Sequence, residues 1–270
     1  MTNCEFPYKN SIIGYCRFGN GPHPVICFHG YGEEASSFAF LEKYAGDQFS
    51  FFSIDLPYHG RTVWNEGLVF THRDLEKIVS GILAKEPAGQ KLTLVGFSLG
   101  GRIALSLYQC IPANVERIVL LAPDGLKINF WYWLSTQTWL GNKLFAFTMK
   151  HPGWFFGFLK GINKLGFVNA SIFKFVNYYI GDAGIRLLLY ERWTSLRKLR
   201  PHLHRIRTFI QKHKTLIRLI YGRHDRIILP VRGDNFRKGI EEQSSIKIIS
   251  SGHQVLQEAH ITEIMEALLH

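Results

Sequence analysis

The chain has 270 residues, 46% of them apolar and 20% charged, which suits a globular protein with a sizeable core and excludes a disordered, collagenous or coiled-coil chain. Its 32 Lys and Arg against 21 Asp and Glu give a formal charge of +11, a balance that by itself points to nucleic acid or an anionic surface. No apolar run approaches the roughly 18 residues of a membrane span, and the start of the chain lacks the basic-then-apolar profile of a secretory signal.

In chain order, Val25–His29, Ser50–Asp55, Leu92–Val95 and Arg117–Ala122 are short apolar runs rich in β-formers, and Leu216–Tyr221 and Ile246–Ile249 are two more. Near-continuous apolar runs suit a parallel sheet covered on both faces. Helical patterns lie between and after them, at Ser37–Tyr44, Arg73–Lys85, Leu99–Cys110 and Val255–Leu269, and Thr71 with Asp74 reads as a capping box for the second. Alternating strands and helices predict an α/β fold with a mostly parallel, doubly wound sheet. Four cysteines (Cys4, Cys16, Cys27, Cys110) form no C-x-x-C pair, so neither a disulfide scaffold nor a metal site is expected. Their scarcity fits a reducing, cytoplasmic compartment.

Charge and aromatics are unevenly placed. Residues 125–215 hold 15 Lys or Arg against two acids, Asp182 and Glu191, a net of +13, while the remainder holds 17 against 19. The same segment carries 19 of the 38 aromatics and five of the six tryptophans. This shift predicts a core made of residues 1–124 and 216–270, with 125–215 inserted as a helical, basic and aromatic-rich cap. Three readings of its aromatics are open: internal packing, an apolar pocket for an acyl or aromatic substrate, or peripheral contact with an anionic membrane. No recognition motif accompanies the charge, so nucleic acid is not the expected partner. The run from Arg197 to Arg207 reads as a solvated helix face.

The strongest chemical signal is Gly96-Phe-Ser98-Leu-Gly100, which matches G-x-S-x-G between a strand and a helix. Small residues two positions either side of the serine let strand and helix approach closely. The turn exposes the Ser98 hydroxyl and sets the Leu99 amide at a helix N-terminus, where it can face an oxyanion. The bland alternative is a glycine-rich helix start with an incidental serine. A serine where phosphate would approach also argues against a dinucleotide fingerprint, and no cofactor is expected.

With these residues in place, the chain resembles the α/β-hydrolase superfamily, with landmarks from about Val25 to the C-terminus; the cap has no recognisable signature. His29-Gly30-Tyr31-Gly32 resembles the His-Gly oxyanion loop, which implies the Tyr31 amide as a second donor beside Leu99. Asp55-Leu-Pro-Tyr-His-Gly-Arg-Thr62 resembles the family turn D-x-P-G-H-G-x-S, with Tyr58 in place of the first glycine and Thr62 in place of the serine. The resemblance implies His253, in Gly252-His253, as general base, and Asp225, in G-x-x-D-x-x-x-P ending at Pro230, as its carboxylate. Asp124 is the rival acid, and Arg223 and Arg226 could hold Asp225 in a merely structural ion pair. By the same resemblance His29 and His59 are buried, structural histidines, while the histidines at 202, 204 and 213 are expected on the surface.

The expected function is a serine hydrolase that cleaves a carboxylic ester or thioester through an acyl-enzyme. A serine rather than an aspartate at the elbow argues against epoxide hydrolysis or dehalogenation. A C–C bond hydrolase or acyltransferase with the same three residues, or a non-catalytic binding protein on this fold, stays an open alternative.

Overall fold

A computed structural model describes residues 1–87, 89–127, 129–164 and 180–270, without the side chains of 162–164. The chain forms two compact units: residues 1–66, 70–127 and 198–270 make the first, and 67–69 with 128–197 the second.

The first unit is built on an eight-stranded sheet of order β1-β2-β4-β3-β5-β6-β7-β8. Its strands are β1 (Thr2–Tyr8), β2 (Ser11–Phe18), β3 (His23–Phe28), β4 (Phe49–Ile54), β5 (Leu92–Phe97), β6 (Val115–Leu121), β7 (Leu216–Gly222) and β8 (Ser244–Ile249). From β4 to β8 all neighbours are parallel, whereas β1 and β2 pair antiparallel with each other and β2 with β4. The six runs read as strands are all strands, and β4 and β5 are buried along their whole length. That is what helices on both faces of a parallel sheet require.

The N-terminal hairpin was not expected from the sequence. Strand β1 is mostly exposed or half-buried and carries Pro7, as an edge strand can, so its residues lack the continuous apolar run that marks the inner strands. Helices α1 (Glu42–Ala45), α2 (His72–Ile82), α3 (Leu99–Tyr108), α8 (Leu203–His213), α9 (Val231–Arg237) and α10 (Ile261–Leu269) belong to this unit. The Ser37–Tyr44 pattern is mostly a 3₁₀ helix, Ala35–Leu41, leading into α1. The final helix begins at Ile261 rather than Val255, and Val255 and Leu256 are buried in the irregular stretch that follows His253.

The capping box at Thr71 is present, and it also fastens the hairpin. Thr71 Oγ1 accepts from the Asp74 amide at 3.2 Å, and the Thr71 amide donates to Asp74 Oδ2 at 3.0 Å. Tyr8 Oη and Lys9 Nζ both donate to Asp74 Oδ1 at 2.7 Å. Burial alone would raise the Asp74 carboxyl, but the hydrogen bonds from Lys9, Thr71 and Tyr8 outweigh it and hold the group at about 2, below its ordinary 3.8. A depressed carboxyl stabilises the fold above its unfolded value and loses that contribution as pH falls through the folded one. Asp74→Asn is therefore expected to cost about 2 kcal/mol at neutral pH. The difference from wild type should shrink between about pH 4 and pH 2. Urea unfolding at several pH values checks this; parallel acid limbs for both proteins would refute it.

The second unit holds α4 (Phe130–Gln137), α5 (Trp139–Lys150), α6 (Gly153–Lys164) and α7 (Ala183–Ser195) among the described residues. It is narrower than the 125–215 insertion expected. Helix α8 falls in the first unit because it buries Ile206 and Ile210 completely, and the amide of His202 at its start donates to Gln109 Oε1 just after α3. The basic run thus divides between the units, with His202 and His204 exposed and His213 half-buried. Within the second unit, Tyr132 and Phe145 pack against Trp193, and Phe145 against Tyr190, at ring separations of 5.2 to 5.8 Å.

Candidate active site

In an open parallel sheet, reactive groups gather beyond the carboxyl ends of the strands, where the strand order reverses. Here β4 lies on one side of β3 and β5 on the other, so the crevice opens at the ends of β3 and β5. Ser98 follows β5 directly, and His29 to Tyr31 follow β3. Asp225 lies just beyond β7 and His253 just beyond β8.

Ser98 adopts φ +48° and ψ −114°, a conformation that costs a non-glycine residue on the order of 1–3 kcal/mol. Its amide donates to Leu121 O at 2.9 Å, and its carbonyl accepts from the Gly101 and Asp124 amides at 3.0 and 2.8 Å. These bonds to β6, to the loop after it and to the first turn of α3 hold the strained turn. The glycines beside it are sterically required: a Cβ on Gly96 would lie 2.4 Å from Gly100 O, and one on Gly100 would lie 1.8 Å from Phe28 O. Leu99 begins α3, so its amide has no partner four residues back in the helix.

The structure brings Ser98, Asp225 and His253 into one hydrogen-bonded chain. His253 Nε2 lies 3.0 Å from Ser98 Oγ, and Nδ1 lies 2.7 Å from Asp225 Oδ2. The Asp225 side chain is fully buried, while the His253 side chain keeps 20% of its exposure. Asp225 Oδ1 accepts from the amides of Ile227 and Ile228 at 2.7 and 2.9 Å, which fixes the carboxylate and aims Oδ2 at the imidazole. An ionised Asp225 can only accept, so Nδ1 carries the proton and Nε2 is left to accept from the serine hydroxyl. Arg223 and Arg226 are exposed, and the ion-pair partner of Asp225 among the described residues is His253.

Asp124 is engaged elsewhere. Its Oδ2 lies 3.6 Å from Arg102 Nε, and its Oδ1 accepts from the Gly125 amide at 2.7 Å.

The loop that carries Tyr31 is set by its neighbours. His29 is completely buried; its Nε2 accepts from the Leu56 amide at 3.1 Å, so its Nδ1 donates to Gly30 O at 2.8 Å. His59 is also buried, with Nδ1 2.9 Å from Pro57 O and its ring 5.0 Å from that of His29. The turn after β4 is likewise fixed by side chains. Asp55 accepts from the Ala35 and Arg61 amides, and Thr62 Oγ1 donates to Asp55 O while accepting from the Gly14 amide. A hydroxyl at position 62 is what this network uses, which threonine supplies as well as serine. Tyr58 takes φ +63° in this turn, the left-handed region that glycine would occupy without strain.

Two residues here were not singled out from the sequence. Glu33 Oε2 accepts from the Gly30 amide at 3.3 Å, and Gln254 Nε2 donates to Glu33 Oε1 at 2.7 Å. This bridge ties the loop after β3 to the loop carrying His253. Only the adjacency of Gln254 to His253, and of Glu33 to the His-Gly loop, could have drawn attention to them. Among the described residues no group of three His, Cys, Asp or Glu is disposed to hold a metal.

A family model described as "Alpha/beta hydrolase family" matches residues 25–267. "Uncharacterized hydrolase YugF" of Bacillus subtilis is 32% identical over 105 residues, covering 39% of this chain and 38% of that protein. A "Pimeloyl-[acyl-carrier protein] methyl ester esterase" of Nitrosospira multiformis is 28% identical over 187 residues, covering 64% of this chain and 63% of the relative. The chain thus spans less than two thirds of these curated relatives. Among solved structures, a thermophilic esterase from Thermogutta terrifontis superposes with a TM-score of 0.68 at 15% identity, covering 99% of this chain and 98% of that one. A "Thioesterase Domain From Curacin Biosynthetic Pathway" superposes with a TM-score of 0.66 at 14% identity, covering 100% and 99%. At such identities the superpositions establish the fold alone.

Proposed function

The chain belongs to the alpha/beta hydrolase family, and from that premise we propose that it is a serine hydrolase acting on a carboxylic ester, with Ser98 as nucleophile, His253 as general base and acid, and Asp225 as the carboxylate that orients His253. The observation that carries this reading is the hydrogen-bonded chain from Asp225 through His253 to Ser98, at 2.7 and 3.0 Å. The esterase named among the relatives supports an ester as the bond cleaved.

In the proposed cycle, His253 Nε2 takes the Ser98 proton as Oγ attacks the ester carbonyl. The carbonyl oxygen becomes an oxyanion held by the amides of Leu99 and Tyr31. The tetrahedral adduct collapses, the bond to the leaving oxygen breaks, and that oxygen receives the proton from His253. Water then attacks the acyl-serine, losing a proton to His253 Nε2. The second adduct releases the carboxylic acid and returns the proton to Ser98. Asp225 stabilises the imidazolium formed in each half and stays ionised throughout.

Covalent chemistry of this kind has a kinetic signature. Mixing the protein with a p-nitrophenyl ester is expected to give a burst of nitrophenolate, stoichiometric with enzyme, followed by steady turnover. A fluorophosphonate should label Ser98 in the folded protein. No labelling and no turnover of any activated ester would overturn the proposal in favour of a binding protein on this fold.

A further inference from the structure

Helix α5 in the second unit packs Phe145 and Met149 inward but also presents a large apolar side to solvent. Its apolar residues Leu140, Leu144 and Phe147, spaced to share one face, are 71%, 52% and 52% exposed, and Trp139 beside them is 71% exposed. Two of its polar residues, Asn142 and Thr148, turn inward. Thr148 is buried, and Asn142 Nδ2 donates to Ser135 O of α4 at 3.1 Å and to Thr194 Oγ1 of α7 at 3.2 Å. A helix on the surface of a water-soluble unit keeps its solvent side mostly polar. The apolar face continues onto the next helix, where Phe147 and Trp154 approach to 6.5 Å between ring centroids and Phe158 is exposed one turn on. On α4, Phe130 and Trp131 are exposed as well. Isolated exposed apolar side chains are ordinary, but a run that passes from one helix to the next is not.

The charge around this face selects what can cover it. Residues 128–164 contain four lysines (143, 150, 160 and 164) and no aspartate or glutamate. Lys143, Lys150 and Lys160 are exposed, and Lys143 Nζ lies 3.8 Å from the centre of the Trp139 ring. A second copy seated face to face would bring lysines against lysines, which costs energy rather than releasing it. No described helix is long and apolar enough to cross a membrane, and α5 has 12 residues. An exposed apolar face on helices whose own charged residues are all lysines, and carrying tryptophans, suits a surface that lies in the headgroup region of a bilayer rather than one that spans it.

We propose that the exposed face of α5, continued by α6, docks on an anionic phospholipid surface. The aromatic and leucine side chains enter the interface, and the lysines pair with lipid phosphates. This assignment concerns the second unit alone and does not depend on the hydrolytic chemistry.

The test is co-sedimentation of the full chain with vesicles of phosphatidylcholine, with and without phosphatidylglycerol. Binding is expected only to the anionic vesicles, weakening as salt is added, with a blue shift of tryptophan emission. Leu144→Glu with Phe147→Glu should abolish it. Lys143→Glu with Lys150→Glu should lower the partition coefficient at least about tenfold, since each lysine near the surface is worth roughly a factor of five. All four side chains are exposed, so unchanged circular dichroism is expected to accompany the loss. Absence of binding to anionic vesicles, or binding that survives both double substitutions, would overturn the proposal. So would a concentration-dependent dimer that dissociates on Leu144→Glu with Phe147→Glu, because the face would then belong to a second copy.

Discussion

Ser98→Ala is expected to lower ester hydrolysis by about 10⁴- to 10⁶-fold while leaving the protein folded. The size of the effect follows from what the hydroxyl does in the proposed cycle. Without Oγ no acyl-enzyme can form, and His253 Nε2 is left to activate water in a site arranged for a different nucleophile. The residual rate would come from binding and from the amides of Leu99 and Tyr31. The fold should survive because the backbone bonds of residue 98, to Leu121 O and from the Gly101 and Asp124 amides, do not involve the side chain. Steady-state kinetics on a p-nitrophenyl ester, together with loss of fluorophosphonate labelling, would check this. Hydrolysis at near wild-type rate by the alanine variant would remove Ser98 from the mechanism.

Asp225→Asn is expected to cost about 10⁴-fold in kcat, whereas Asp124→Asn should cost no more than a few-fold. The reason is the tautomer. Asp225 Oδ2 accepts from His253 Nδ1 at 2.7 Å, which leaves Nε2 free to take the serine proton. Asparagine can turn its amide nitrogen to that position and donate to Nδ1, which moves the ring proton to Nε2, where it faces Ser98 Oγ. The carboxamide oxygen could still accept from the Ile227 and Ile228 amides, so the loop keeps its geometry and the loss is chemical. Asp124 instead faces Arg102 and its own following amide. Measuring both variants with one activated ester separates the candidates. Collapse of turnover in Asp124→Asn alone would transfer the orienting role to that residue.

Much of the first unit is legible before folding. The inner strands announce themselves because both faces of a parallel sheet are covered, which leaves little room for polar residues between Val25 and Phe28 or between Leu92 and Phe97. The turn at Ser98 is equally legible, because Gly96 and Gly100 sit where any Cβ would collide with backbone. The hairpin of β1 and β2 is not, since an edge strand needs no continuous apolar run and its attachment to α2 depends on Tyr8 and Lys9 reaching Asp74 across 66 and 65 residues. Glu33 and Gln254 escape for the same reason. Their bridge joins loops 221 residues apart, and neither residue type marks it.

The sequence by itself determined the order of the six parallel strands and the helices between them, the strained serine turn and the short list of groups able to partner it, because these rest on local sterics and on periodic burial. The tertiary structure decided three matters that composition leaves open. It set Asp225, not Asp124, within hydrogen-bonding distance of His253. It drew α8 out of the basic segment and into the first unit, since Ile206 and Ile210 find their apolar partners there. It also divided the aromatics of the second unit between packed rings such as Phe145 and Trp193 and exposed ones such as Trp131 and Trp139. Composition counts side chains but carries no direction. Whether an apolar group ends against a partner or in water depends on which elements pack beside it.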